Sequence, residues 1–212
     1  MTRPLAVAAM TMTLVGCAAR SAPAQDPSPM DTSGALVPAG HGQLGQDQIT
    51  LSFRNGNLDI RFTPLDERVL RLLTDEAYRA LTDLVADQRP RIDSVTTRFA
   101  IRRPGLALVS FYGLAPDTRF DPRILLVNVR NRVVRPVATI PLSPAFSAQQ
   151  LELRQQAMGI FVFDEPLPVT EPFGVEYLTT VVTDWERRLP RFDRERARIQ
   201  ARTGSGTPPG AP

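Results

Sequence analysis

The sequence contains one cysteine and one histidine, and this scarcity restricts the chemistry that the protein can perform. Cys17 has no second cysteine with which to form an intramolecular disulfide, so the fold must be stabilised by packing. His41 lies between Gly40 and Gly42, without the rigid setting and the partner that a catalytic or metal-bound histidine requires. The sequence therefore disfavours Ser-His and Cys-His nucleophilic sites, and metal sites built on histidine.

Lysine is missing altogether, so arginine supplies all 25 basic residues, against 22 acidic ones. The net charge of +3 is small, and acidic residues are interspersed with the basic ones. A nucleic-acid-binding protein needs basic residues clustered on one face. We therefore attribute the sequence pI of about 9.7 to the Arg-, Ala- and Pro-rich composition of a GC-rich genome, and we expect no nucleic-acid partner.

No apolar run is long enough to cross a bilayer as a helix, which takes about 20 residues. The apolar run at the N-terminus, residues 5–15, is eleven residues long and follows Arg3. A basic start, a short apolar run and small residues after it are typical of a secretory signal peptide. We predict that residues 1–16 are this signal peptide.

The signal peptide ends in Leu14-Val15-Gly16-Cys17, which resembles the lipobox of bacterial lipoproteins. The resemblance covers residues 1–17 only. It implies cleavage between Gly16 and Cys17, lipidation of the Cys17 thiol and acylation of its new amino group. Two or more acyl chains give stable anchoring, so the bilayer is an expected partner. Ala18 stands where an Asp would favour retention in the inner membrane. The resemblance therefore implies an envelope protein on the outer membrane, facing the periplasm.

Composition and periodicity divide the rest of the chain into four parts. Residues 17–48 are predicted to be a lipidated N-terminus and disordered tether, and residues 203–212 a disordered tail. Residues 49–93 combine a hairpin turning at Asn55-Gly56 with one or two amphipathic helices over 64–88. Thr63 is expected to cap the first helical turn, with Pro64 following it, and Thr74 offers a second capping point.

The fourth part, residues 94–202, has the period of two that is typical of strands. We predict a chain that is mainly β with some α: a β-sandwich of Ig-like architecture, preceded by the hairpin and helices. Pro136 should lie at an edge or a bulge. From Trp185 a C-terminal helix is expected, bent or interrupted at Pro190 and solvated over 191–202. The predicted strands are 95–101, 106–112, 123–129, 133–140, 150–154, 157–163 and 175–183.

The sequence carries no motif of a nucleotide-binding, calcium-binding or hydrolytic site. It predicts no catalytic residue, no cofactor and no metal, so Gly16 and Cys17 are its only assigned sites. The most favoured hypothesis is a non-enzymatic binding or scaffold module with an envelope-protein or cell-wall partner. One alternative is a glycan-acting enzyme that uses loop carboxylates. Another is an accessory subunit of an envelope assembly complex that docks through helices 64–88. The candidate carboxylates are Asp117, Asp121, Asp164 and Glu165.

Overall fold

The fold contains helix and strand in nearly equal shares. A computed structural model describes residues 36–130 and 132–204. Of these residues 35% are helical and 34% lie in strands, so the chain is mixed α/β with mostly antiparallel sheets rather than mainly β. The predicted signal peptide, Gly16, Cys17 and the tail from residue 205 lie outside the described residues.

The helices and strands of the described residues are numbered in chain order. The helices are α1 (Gln46–Ile49), α2 (Glu67–Leu70), α3 (Asp75–Asp87), α4 (Arg89–Arg98), α5 (Pro144–Ala148) and α6 (Trp185–Gly204). The strands are β1 (Leu51–Asn55), β2 (Leu58–Pro64), β3 (Gly105–Gly113), β4 (Thr118–Arg119), β5 (Leu125–Val129), β6 (Arg132–Val134), β7 (Pro136–Pro141), β8 (Gln150–Leu151), β9 (Gln156–Phe163), β10 (Gly174–Tyr177) and β11 (Thr180–Val182).

The largest sheet has five antiparallel strands in the order β1-β2-β3-β9-β7. Its β1–β2 hairpin confirms the turn predicted at Asn55-Gly56, where Gly56 adopts a φ of +54°. Glycine adopts this left-handed conformation without steric cost. Since β2 also pairs with β3, the hairpin belongs to the same sheet as the strands that follow it.

Two of the predicted strands are each divided in the structure. The segment 133–140 forms β6 and β7, which lie in different sheets, because the second sheet has the order β11-β10-β5-β6. Pro136 begins β7 at the edge of the five-stranded sheet, and the register shifts between Pro136 and Ala138, as predicted for a strand proline. The segment 175–183 forms the hairpin β10–β11, which turns at Leu178 with a φ of +54°. Strands β4 and β8 pair separately.

The prediction of a strand at 95–101 is wrong, because α4 extends through Arg98. Pro90 lies in the first turn of α4, where a missing N–H costs no helical hydrogen bond. The alternation of apolar and polar residues over 95–101 does not mark a buried strand face, since Phe99 is 46% exposed. Thr63 and Pro64 end β2 rather than start a helix, and Asp66 caps α2 by accepting a hydrogen bond from the Arg68 N–H at 2.9 Å.

Residues 36–49 form a strap that packs on the rest of the fold, although residues up to 48 were predicted to belong to the tether. Val37, Leu44 and Ile49 are buried. The Leu44 N–H donates to the Leu72 carbonyl at 3.0 Å, and Leu44 O accepts from the Thr74 N–H at 2.9 Å. The burial of these three apolar residues therefore holds the segment on the fold, although its composition is rich in Pro and Gly.

Helix α6 packs its apolar stripe on the core. Trp185, Phe192 and Ile199 are buried, and the Trp185 indole N–H donates to the Val169 carbonyl at 3.1 Å. The helix continues through Pro190, so the predicted interruption does not occur. Glu195 and Arg196 are also buried, so the helix is not merely a solvated surface element.

Candidate functional site

A polar cleft with a volume of about 460 Å³ opens on one face of the five-stranded sheet. The opposite face of this sheet carries buried aromatic residues such as Phe62, Phe111 and Phe161. Because successive side chains of a strand point to opposite faces, the polar residues between them project into the cleft. Helix α1 contributes two residues at the rim. The described lining residues are Gln46, Asp47, Thr50, Ser52, Arg61, Thr63, Leu108, Ser110, Gln156 and Met158.

One row of side chains crosses the cleft over four neighbouring strands. Ser52 of β1 lies opposite Arg61 of β2, and Arg61 lies opposite Ser110 of β3. Ser110 in turn lies opposite Met158 of β9. Directly opposed residues in antiparallel strands have Cβ atoms about 4.5–5.5 Å apart. The row therefore places one arginine and two serines at neighbouring positions in the lining of the cleft.

Ser110 presents its hydroxyl on the floor of the cleft. The residue is 8% exposed and lies on the central strand of the sheet. Its Oγ makes no hydrogen bond within the described part of the chain. The atom is open to the cleft, since the side-chain polar atom that is fully buried and unpaired among the described residues is Nη1 of Arg198. The floor of the cleft thus holds a free donor and acceptor.

Arg61 also has free donors. Its side chain is 60% exposed, and its Nε lies 3.6 Å from Asp59 Oδ2. This separation is an ion pair but not a hydrogen bond. A guanidinium group has five N–H donors in a planar fork, so the group can bind a ligand that enters the cleft.

The neighbouring hydroxyl pair differs, because both of its members are satisfied. Thr50 Oγ1 and Thr63 Oγ1 lie 2.7 Å apart, and Thr50 Oγ1 donates to the Gln46 carbonyl at 2.8 Å. Because a hydroxyl has one proton, Thr63 must be the donor to Thr50. This chain of hydrogen bonds attaches α1 to β2 and fixes the rim of the cleft.

Helix α6 holds the same rim from the other side. Arg188 Nη1 donates to the carbonyl oxygens of Asp47 and Gln48, at 3.1 and 2.9 Å. Burial lowers the pKa of Arg188, and the nearby carboxylates of Asp184 and Asp47 act in the opposite direction. The charge of Asp47 is therefore partly offset by Arg188.

A second cluster on α6 anchors the middle of the strap. Glu195 accepts a hydrogen bond from the Gln43 N–H at 2.7 Å, and Arg198 donates to both of its carboxylate oxygens. The hydrogen bonds from Arg198 lower the pKa of Glu195, burial opposes this effect, and the Gln43 N–H adds to it. His41 takes part only through its carbonyl, which accepts from Arg198 Nη2 at 2.8 Å.

The four carboxylates singled out from the sequence do not line the polar cleft. Asp117 accepts a hydrogen bond from Gln150 at 2.8 Å, and Glu165 accepts one from Arg132 at 2.6 Å. Asp121 accepts hydrogen bonds from the Arg123 backbone and side chain, and the side-chain bond lowers the pKa of Asp121. Asp164 lines a shallow surface depression beside Glu165. Three of the four acids thus hold local structure.

An apolar groove of about 440 Å³ lies within the segment predicted to dock, between α2, α3 and the sheet. Leu65, Leu70, Val85 and Leu106 are its apolar walls. Glu67, at its edge, is already bound to Arg71 at 2.6 Å.

Within residues 36–130 and 132–204 no helix combines the length and the apolar character needed to cross a membrane. The same residues contain no group of three or more His, Cys, Asp or Glu side chains that could hold a metal ion.

Comparison with known proteins gives no relative on which to base a function. No family model matches the sequence, and neither curated proteins nor solved structures show a match.

Proposed function

We propose that this protein is a lipid-anchored module of the cell envelope that binds a ligand in the polar cleft. The row of Ser52, Arg61 and Ser110 in the lining of the cleft is the observation that carries this proposal. The Ser110 hydroxyl makes no hydrogen bond within the described residues and opens to the cleft, so it can donate to and accept from a ligand that enters. The free donors of Arg61 in the adjacent row position support the same function.

The proposed architecture is a β-sandwich in which the polar cleft lies on the outer face of one sheet. Phe111 of the five-stranded sheet contacts Tyr177 of the four-stranded sheet, with ring centroids 5.8 Å apart. Asn55 Nδ2 donates to Thr180 Oγ1 at 2.9 Å, which joins the two sheets at their edges. Side chains between two packed sheets form the core of a sandwich, so an outer face is free to bind.

The proposed anchor is Cys17, whose acyl chains would hold the protein on the outer membrane, facing the periplasm. A cell-wall component or an envelope protein is within reach of the cleft there, and this is the partner that we propose.

Metabolic labelling with a lipid precursor tests the anchor. Wild-type protein should incorporate the label and remain with the membrane fraction, whereas Cys17→Ser should lose the label. Equal labelling of the two proteins, with equal release from the membrane, would overturn the proposed anchor.

Photocrosslinking in intact cells tests the cleft. The test variant carries a photoreactive amino acid at position 52, in the lining of the cleft. The control variant carries it at position 133, where Val133 is exposed on β6 of the other sheet. We expect a discrete adduct from position 52 that weakens when Ser110→Ala is added, and no such adduct from position 133. The same adducts from both positions, or none from position 52, would contradict the proposed binding site.

A further inference from the structure

We infer that the polar cleft binds an oxyanion, a carboxylate or a phosphate ester, between Arg61 and Ser110. The inference rests on the proposed function, since it names the chemical class of the ligand for the same cleft. It applies to one group of the ligand, the one that reaches the central row of side chains.

The hydrogen-bond donors of Arg61 and Ser110 match the acceptor oxygens of an oxyanion. Arg61 and Ser110 are directly opposed on β2 and β3, and neither side chain makes a hydrogen bond within the described residues. A guanidinium fork binds carboxylate and phosphate oxygens bidentately, and a hydroxyl adds one further donor. Ser52, opposite Arg61 on the other side, provides a second hydroxyl.

The nearby acids leave room for an anion. Asp59 Oδ2 lies 3.6 Å from Arg61 Nε and accepts no hydrogen bond from the guanidinium group, so the donors of Arg61 stay available to a ligand. Asp47 lies beside Arg188, which carries a compensating charge. Two arginines and two aspartates surround the cleft, so the selectivity must come from the local geometry of the row and not from a positive potential over the whole surface.

A neutral sugar fits the same groups less well. None of the described lining residues is aromatic, and Leu108 and Met158 are the apolar residues among them. A neutral ligand would also supply no negative charge to the Arg61 guanidinium, whose contact with Asp59 is long at 3.6 Å. An oxyanion supplies both the charge and several acceptor oxygens.

NMR titration of the full-length chain tests this inference. Sodium phosphate, sodium acetate and the neutral sugar N-acetylglucosamine are the probes, added at constant ionic strength. The observable is the amide chemical shift of residues in the central row. The variants are Arg61→Gln and Ser110→Ala. Arg54→Gln is the matched control, because it removes the same charge from an exposed arginine of the neighbouring strand that does not line the cleft.

We expect saturable shifts at the central row with phosphate, acetate or both, and the stronger of the two identifies the preferred source of the oxyanion. Arg61→Gln should weaken this binding by about tenfold or more, because it removes a charged hydrogen-bonding partner. Ser110→Ala should weaken it less, and Arg54→Gln should leave it unchanged.

Three results would overturn the inference. Shifts with N-acetylglucosamine but not with either anion would show a neutral ligand and leave the proposed binding function standing. Equal weakening by Arg54→Gln and Arg61→Gln would show an adventitious ion only. No shift at the central row with any probe would exclude an oxyanion site, while the crosslinking from position 52 would still decide the binding function independently.

Discussion

Glu195 of α6 accepts a hydrogen bond from the backbone N–H of Gln43, 152 residues earlier in the chain, at 2.7 Å. This contact joins the last helix to the strap formed by residues 36–49. The same helix holds the other end of the strap, where Arg188 binds the carbonyl oxygens of Asp47 and Gln48. Since α1 forms the rim of the polar cleft, α6 shapes the cleft without lining it.

Glu195→Gln should lower the stability and change its dependence on pH. The pKa of Glu195 is lowered in the folded state, so its carboxylate stabilises the protein above the unfolded pKa of about 4.3. That stabilisation is lost as the pH falls from there through the lowered folded pKa. Removing the charge should cost about 1–3 kcal/mol at neutral pH, and the variant should lack this part of the acid-dependent loss.

Urea unfolding at a series of pH values measures the effect. The matched control is Glu186→Gln, which removes an exposed carboxylate from the first turn of the same helix. Identical pH profiles for Glu195→Gln and the wild type would contradict the assigned role of Glu195.

Gly42→Ala should displace the strap. A Cβ atom at position 42 would lie 2.2 Å from the backbone carbonyl of Leu72 and 2.3 Å from that of Leu73. Backbone atoms cannot give way as the end of a side chain can, so we expect a loss of about 1–3 kcal/mol in the free energy of unfolding. Chemical denaturation followed by circular dichroism measures this loss.

Gly45→Ala is the control within the same strap. Its Cβ would approach only the Oδ1 atom of Asp47, at 2.5 Å, and that side chain can rotate away. If the two glycine variants were equally stable, the close packing of the strap on Leu72 would be refuted.

Ser110→Ala should leave the stability nearly unchanged. The variant removes a hydroxyl that opens to the cleft and makes no hydrogen bond within the described residues, so no hydrogen bond of the fold is lost. Thr63→Val is the control, because it removes a hydroxyl that bonds to Thr50 at 2.7 Å and should cost about 1 kcal/mol. Thermal unfolding of both variants measures the difference. A clear destabilisation by Ser110→Ala would mean that its hydroxyl is satisfied within the fold.

The sequence predicts local structure where one dipeptide or one strong period dominates. Asn55-Gly56 defines a hairpin because a tight turn requires positive φ, and Thr74 caps α3 through its bond to the Ala77 N–H. The segment 95–101 is ambiguous, since a few alternating residues also fit the end of a helix. In the structure α4 continues into this segment as far as Arg98.

The polar cleft could not be located from the sequence, because it depends on which strands become neighbours. Ser110 lies in an otherwise apolar strand, and Arg61 is one of 25 arginines. Only the pairing of β2 with β3 brings the two side chains together. The strap was missed for a similar reason, since its partner Glu195 is far away in sequence.

The labelling rate of an engineered thiol tests most directly whether the polar cleft is occupied in the envelope. Ser52→Cys places a thiol at the cleft, and Val133→Cys places one on an exposed strand of the other sheet. The protein with Cys17 alone gives the background for both. Maleimide labelling of Ser52→Cys, relative to Val133→Cys, should be several-fold slower in isolated envelopes than in the purified protein. An unchanged ratio would contradict a bound ligand in the cleft.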